Sequence, residues 1–315
     1  MKTRFFRNAA LLSAAALLSG LAACDSFTLT LTFVTPEQAK SVDTQTVALP
    51  DGARVVINND TGSTRISVDP AATEATVQIT KVAFGEDQAA ADDLLSQIVV
   101  TMTPPTPEDN TLRIDAPRPP QATGNSQDFQ ASLVNDELNV TAILGGNLVS
   151  TVRLRITLPP GHGVDVTQQT GYVRATDLDT DSTLQTDNGS VRVTDATTAV
   201  TVRTDNGSVD IEDHAGSLDV RTDNGRVRIQ VRSLAPDQQI LARTDNGFIS
   251  IELPRDIDAE LSAMTDNGAV RLDIQAFDLV NNLSATRRSV SATLNAGGPR
   301  IDLNTDNGVI GIESR

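Results

Sequence analysis

The feature that most restricts this chain is a tetrapeptide, Thr-Asp-Asn-Gly, that occurs six times in its second half. The copies are Thr186-Asp187-Asn188-Gly189, Thr204-Asp205-Asn206-Gly207, Thr222-Asp223-Asn224-Gly225, Thr244-Asp245-Asn246-Gly247, Thr265-Asp266-Asn267-Gly268 and Thr305-Asp306-Asn307-Gly308. Their aspartates are separated by 18, 18, 22, 21 and 40 residues, the last step reading as two coils of which one has lost the motif. A degenerate copy, Val166-Thr-Gln-Gln-Thr-Gly171, aligns with Val202-Arg-Thr-Asp-Asn-Gly207. A period near 20 residues marks a solenoid or repeat array.

Between copies, apolar and polar residues alternate, the period of a strand with one buried face. Inward pairs after the tetrapeptide run from Val191/Val193 and Val209/Ile211 to Ile310/Ile312; those before it include Val200/Val202, Leu218/Val220 and Ile301/Leu303. Each unit is expected to be two short strands and two turns. Its apolar face is buried only by stacking on a neighbour. Asn-Gly supplies two residues tolerant of φ > 0, while Asp accepts a turn hydrogen bond and Thr points inward.

Asn-Gly between alternating strands is also a hairpin signal, so an antiparallel meander fits the local pattern equally well. The outward columns favour parallel stacking. In that register the position after each turn reads Arg174, Arg192, Asp210, Arg228, Ser250, Arg271, which sets opposite charges side by side. The expected fold is all-β: an N-terminal β-rich region with one short helix, then a parallel β-solenoid or β-roll of about seven coils with Thr-Asp-Asn-Gly turns.

Residues 1–23 read as a lipoprotein signal peptide. Lys2, Arg4 and Arg7 precede the apolar run Ala9–Leu18, which is too short to span a bilayer. Leu21-Ala22-Ala23-Cys24 resembles the bacterial lipoprotein box, with Cys24, the single cysteine, as the lipidation site. Paired acyl chains would make a stable anchor. The expected address is the extracytoplasmic side of an envelope membrane, and by resemblance to the enterobacterial sorting rule Asp25 favours the inner one. Formal net charge is −16, and loss of three basic residues with the signal takes it to −19. That balance argues against nucleic acid as a partner.

Residues 24–46 are read as lipidated tether and first strand (Phe27–Phe33), with Thr35–Gln45 a polar stretch; 47–160 form the N-terminal β-rich region and 161–315 the repeats. Within the middle segment, strands are expected at Arg54–Asn58, Ser63–Val68, Thr76–Phe84, Ile98–Met102, Thr111–Ile114 and Val149–Leu158. The helix is expected over Glu86–Ile98.

Three stretches carry a resemblance: Val47-Ala-Leu-Pro-Asp-Gly52, Val152-Arg-Leu-Arg-Ile-Thr-Leu-Pro159 and the closing Gly297-Gly-Pro-Arg-Ile-Asp-Leu-Asn-Thr-Asp-Asn-Gly-Val-Ile310. With the strand–Asn-Gly–strand series, the chain from about Thr44 to Arg315 resembles the bacterial "putative adhesin" domain family of unknown function, found in envelope proteins and lipoproteins. The resemblance implies a parallel β-solenoid or β-roll, and it carries no chemistry.

The expected function is a non-catalytic structural or interaction scaffold, anchored to a membrane by lipid, with an envelope protein or glycan as partner and no cofactor. The alternatives are an envelope-stress or signalling accessory, a calcium-stabilised adhesin, and a polysaccharide-acting enzyme. A column of turn aspartates suggests Ca²⁺, but each turn offers one carboxylate and one amide where that ion takes six to eight oxygens. No metal site is therefore assigned. Catalysis needs a carboxylate pair unlike its neighbours, and here the carboxylates repeat identically. His162 and His214 read as plain turn residues. The exposed last strand, Val309–Ile312, would have its open edge blunted by Glu313 and Arg315. The candidate partner face is the stripe Arg174, Arg192, Arg228 and Arg271, with Arg203, Arg221 and Arg243 just before the turns.

Overall fold

The computed structural model describes residues 28–34, 37–85, 87–120, 129–134, 137–143, 150–273 and 277–315. In chain order, β1 (Thr28–Val34), β2 (Glu37–Val47), β3 (Arg54–Val68) and β4 (Ala75–Gly85) precede the helix α1 (Gln88–Gln97). Then come β5 (Thr101–Thr103), β6 (Thr111–Ala116), β7 (Phe129–Val134), β8 (Glu137–Ile143) and β9 (Thr151–Leu158). The repeats supply β10 (Val164–Thr176), β11 (Ser182–Thr194), β12 (Val200–Asn206), β13 (Val209–Ala215), β14 (Leu218–Ser233), β15 (Gln239–Leu253) and β16 (Ala259–Leu272). The series closes with β17 (Val280–Ala285), β18 (Ser289–Leu294) and β19 (Arg300–Ser314). Cys24, Asp25 and the rest of the expected signal segment lie outside the described residues.

The chain divides into two units. In one, β8 lies between β1, which it pairs in parallel, and β7, which it pairs antiparallel. The other unit holds the remaining strands in a single sheet. From β3 the parallel ladder runs β3-β10-β11, then β12 on the first half of β11 and β13 on the second, then β14-β15-β19-β16. This is parallel stacking, and the meander alternative is excluded.

One repeat coil is the expected pair of strands joined by a turn, β12 and β13 separated at Gly207 and Ser208, and the others differ from it. Residues Ser182–Thr194 form one strand that bends through Thr186-Asp187-Asn188-Gly189 without losing its pairing. Its two halves carry inward side chains, Leu184 before the corner and Val191 and Val193 after it, all essentially inaccessible. The return loop adds Ala196, as the preceding coil adds Leu178. Stacked coil on coil, these residues make one continuous core. Each fully buried Val, Leu or Ile contributes about 1.5–3 kcal/mol.

The corner glycine is required for a reason other than the one expected. Gly62 and Gly171 have left-handed φ of +142° and +133°, but none of the six Thr-Asp-Asn-Gly glycines has φ > 0. Instead, a Cβ on Gly207 would lie 1.6 Å from the carbonyl oxygen of Gly189, and one on Gly225 would lie 1.8 Å from that of Gly207. Eight glycines stack this way in the spatial order 62, 171, 189, 207, 225, 247, 308, 268. Left-handed backbone falls at the other corner, on Asp177, Asp195 and Asp213, with φ of +59°, +56° and +51°. Asp tolerates this region better than most side chains. Backbone bonds also run between coils there, such as Thr197 N to Leu178 O at 2.9 Å and Ala215 N to Ala196 O at 2.8 Å.

Three expectations about chain order are corrected. First, the series of coils does not begin after residue 160. Residues Arg54–Val68, expected as two strands and a turn, form the single bent strand β3, which pairs in register with β10 along its length. Its corner reads Asn59-Asp60-Thr61-Gly62, with Asn and Thr exchanged relative to the later motif. β6 pairs with the first half of β3 and β9 with the second, so together they supply the next coil. Second, β19 does not extend the stack. It lies between β15 and β16, paired in parallel with both, so the expected open edge at Val309–Ile312 does not exist. Third, the 40-residue step holds no coil without a motif. It holds the hairpin β17–β18, whose second strand runs antiparallel along β16.

The N-terminal segment shows two smaller differences. The polar stretch expected over Thr35–Gln45 is largely β2, hydrogen-bonded beside β4. Ala39 is its one buried residue, so a strand of this kind leaves little apolar alternation to read. The helix begins at Gln88, where the Asp87 side chain accepts a 2.8 Å bond from the Ala90 N–H.

Candidate functional site

The corners put each residue of the tetrapeptide in its own column. The threonines are buried: Thr204 donates to Gly189 O at 3.3 Å, and Thr265 to Gly308 O at 3.2 Å. In the two earlier coils amides take this position, as Asn59 and Gln168. Asn59 Nδ2 donates to Thr64 Oγ1 at 3.2 Å, Thr64 Oγ1 to Gln168 Oε1 at 2.9 Å, and Gln168 Nε2 to Gly62 O at 3.0 Å.

The asparagines form an exposed amide ladder. Asn206 Nδ2 donates to Asn188 Oδ1 at 3.2 Å, Asn224 to Asn206 at 3.1 Å, and Asn246 to Asn224 at 3.1 Å. Asn307 then donates to Asn246 at 3.0 Å, and Asn267 to Asn307 at 3.1 Å. The ladder follows spatial order, and every amide points the same way. Asp187 is half-buried, while Asp205, Asp223, Asp245, Asp306 and Asp266 are exposed. Among the described residues no group of three or more His, Cys, Asp or Glu comes together as a ligand set for a metal ion.

The stripe named from sequence is not one surface. Arg192 faces Asp210 across the ladder, with Nη2 3.2 Å from its carboxylate and 3.3 Å from that of Glu212. Asp210 in turn faces Arg228, whose Nη2 lies 2.7 Å from Glu252. Exposed pairs of this kind contribute up to about 1 kcal/mol each. Arg271 stands apart from them, beyond Ser250 and Gly311. It lines a shallow depression of about 270 Å³ with Phe248, Leu272 and Val309. Arg174 faces Arg192 on one side and Arg65 on the other. The arginines before the corner form a separate column, Arg203-Arg221-Arg243, in which Arg221 pairs with Asp219 of its own strand at 3.3 Å.

Neither histidine is the plain turn residue expected. His162 is buried, with Nδ1 3.0 Å from Ala53 O. His214 is fully buried, with Nε2 3.2 Å from Ser217 O and Nδ1 without a partner. Burial pushes the His214 pKa below its ordinary value, against smaller opposing effects from backbone hydrogen bonds. Below about pH 6.5 the unfolded chain takes up a proton that the folded chain resists. This part of the stability is therefore complete above the unfolded pKa and is lost as pH falls toward the folded one. Urea midpoints are expected to decline between pH 7.5 and 5.5, and His214→Gln to flatten that decline. An unchanged slope in the variant would remove His214 as its source.

A family model described as Toastrack DUF4097 matches residues 125–313. No curated protein matches. Among solved structures, a "putative adhesin" from Bacteroides fragilis is 13% identical, with 88% of this chain and 98% of that one covered at a TM-score of 0.37. A "putative cell adhesion protein" from Clostridium sporogenes is also 13% identical, with 89% and 100% covered at a TM-score of 0.32. A "putative lipid binding protein" from Parabacteroides distasonis is 12% identical, with 90% and 99% covered at 0.28.

Proposed function

The chain belongs to the Toastrack DUF4097 family, and on that premise we propose that it is a lipid-anchored cell-envelope protein acting as a non-catalytic interaction scaffold. The observation that carries the reading is the outward face of the ladder. Side chains there recur coil by coil in columns, and the corner carboxylates repeat without any pair being set apart for proton transfer. A surface of this form displays side chains at fixed spacing over a long face, as solenoids do when they bind extended partners. The sequence around Cys24 supplies the tether, and the scaffold stands on the extracytoplasmic side of an envelope membrane.

The test is fractionation of the full chain expressed in a bacterium that processes lipoproteins. The wild type is expected in the membrane pellet, released by detergent but not by salt, with Cys24→Ser recovered in the soluble fraction. A wild-type protein that is soluble, or a Cys24→Ser variant that stays in the pellet, would overturn the anchor.

A further inference from the structure

The arginine column extends past Arg174 into strands whose sequence shows no repeat motif. Across the ladder the same outward position reads Gln78 on β4, Arg155 on β9, Arg65 on β3, Arg174 on β10 and Arg192 on β11. Four arginines thus stand on four consecutive strands, about 4.8 Å apart from one to the next. Arg153 lies two residues before Arg155 on the same face of β9. Arg65, Arg153, Arg155 and Arg174 are all exposed.

What surrounds them matters more than their number. Arg192, at one end, is already engaged by Asp210 and Glu212. The side chains of Arg65, Arg153, Arg155 and Arg174 have no ion pair or hydrogen bond among the described residues. Nor does their face carry a carboxylate. After the corner, the other outward positions of β3 and β10 are Ser63, Ser67, Tyr172 and Thr176, and those of β9 and the facing part of β4 are Thr151, Thr157, Thr76, Gln78 and Thr80; Asp165 of β10 lies before the corner, paired with Arg54. In a chain with 41 acidic residues and formal charge −16, a four-strand face with cations, hydroxyls and one amide is a pronounced local exception.

We propose that this face binds a linear acidic polysaccharide whose carboxylates lie along the column Arg155-Arg65-Arg174. The proposal deepens the scaffold reading and rests on it. Guanidinium groups fixed in a row match a polymer with regularly repeated carboxylates, each able to form a two-point contact. The flanking Ser and Thr hydroxyls and Gln78 suit the neutral hydroxyls of sugar rings. Single-stranded nucleic acid fits less well, because it needs aromatic platforms for successive bases, and this face has only Tyr172.

The experiment uses the mature chain and polygalacturonate as probe, with neutral dextran, single-stranded DNA and anionic phosphatidylglycerol vesicles in parallel. Arg65→Gln/Arg174→Gln removes two charges from the column. Arg203→Gln/Arg243→Gln removes two from the other half of the coils and serves as the charge-matched control. Polygalacturonate is expected to bind, to weaken as salt rises, and to lose at least about tenfold in affinity in the first variant only. Absence of binding, equal loss in both variants, or tighter binding to DNA or vesicles would overturn the proposal. Membrane fractionation of the same variants is read independently, so failure of this surface leaves the anchored scaffold standing, and failure of the anchor is seen directly.

Discussion

Gly207→Ala is expected to be among the most damaging single substitutions in the chain, costing about 3–5 kcal/mol and lowering the melting temperature by on the order of 10 °C. The added Cβ would sit 1.6 Å from Gly189 O and 2.6 Å from Gly189 C. Gly207 directly follows Asn206, which pairs with Asn188 on one side and Asn224 on the other, so a retreat of its backbone strains both pairings. Gly207 N donates to Asn224 O at 3.0 Å, so the disturbance reaches the coil on the other side as well. Ser208→Ala, one residue along and exposed, is the control and should stay within about 0.5 kcal/mol. Urea denaturation of the two variants checks both values. A mild effect of Gly207→Ala would mean that the corner column is looser than the structure has it.

The second large effect concerns β19. Removing residues 299–315 is expected to release β16, β17 and β18 together, so that limited proteolysis cuts within 259–294 while β3 through β15 stay protected. Ile301, Leu303, Ile310 and Ile312 are all buried, and their loss withdraws about 6–12 kcal/mol of gross apolar burial. Among the described residues the strand is also the sole parallel link between β15 and β16. A solenoid stacked in chain order would lose only its last coil from the same cut. Continued protection of 259–272 after the truncation would contradict the inserted order.

The repeat made much of the fold legible, and the exceptions have physical reasons. Alternation placed Val191, Val193, Val209 and Ile211 in the core, where they are. The column Arg192-Asp210-Arg228 was derivable once parallel register was assumed. Order within the stack was not, because β15, β16 and β19 carry the same tetrapeptide and the corner bonds cannot distinguish one from another. β3 went unrecognised as a coil because Asn59 and Thr61 exchange the roles of Thr and Asn, so the register is kept while the motif is lost. The arginine face was only partly visible for the same reason. Arg174 lies in a degenerate repeat, and its neighbours Arg65 and Arg155 lie in strands with no motif at all. Asp177, Asp195 and Asp213 recur every 18 residues, so the left-handed corner did leave a signal in the sequence.

The inserted strand also sets synthesis order against stacking order. From Leu272 to Ser314 the ribosome must add 42 residues, about 2–8 s at bacterial elongation rates of roughly 5–20 residues per second. Throughout that interval the edge of β15 is unfilled, and β16 is already available with an identical Thr-Asp-Asn-Gly to dock on it. Reaching the native arrangement then requires either that β16 waits or that a premature pair comes apart. The β17–β18 hairpin, held to β16 by antiparallel pairing, is the part of the chain in position to delay it. Corners that share one tetrapeptide, and so do not by themselves tell one coil from another, thus become a source of kinetic competition during folding.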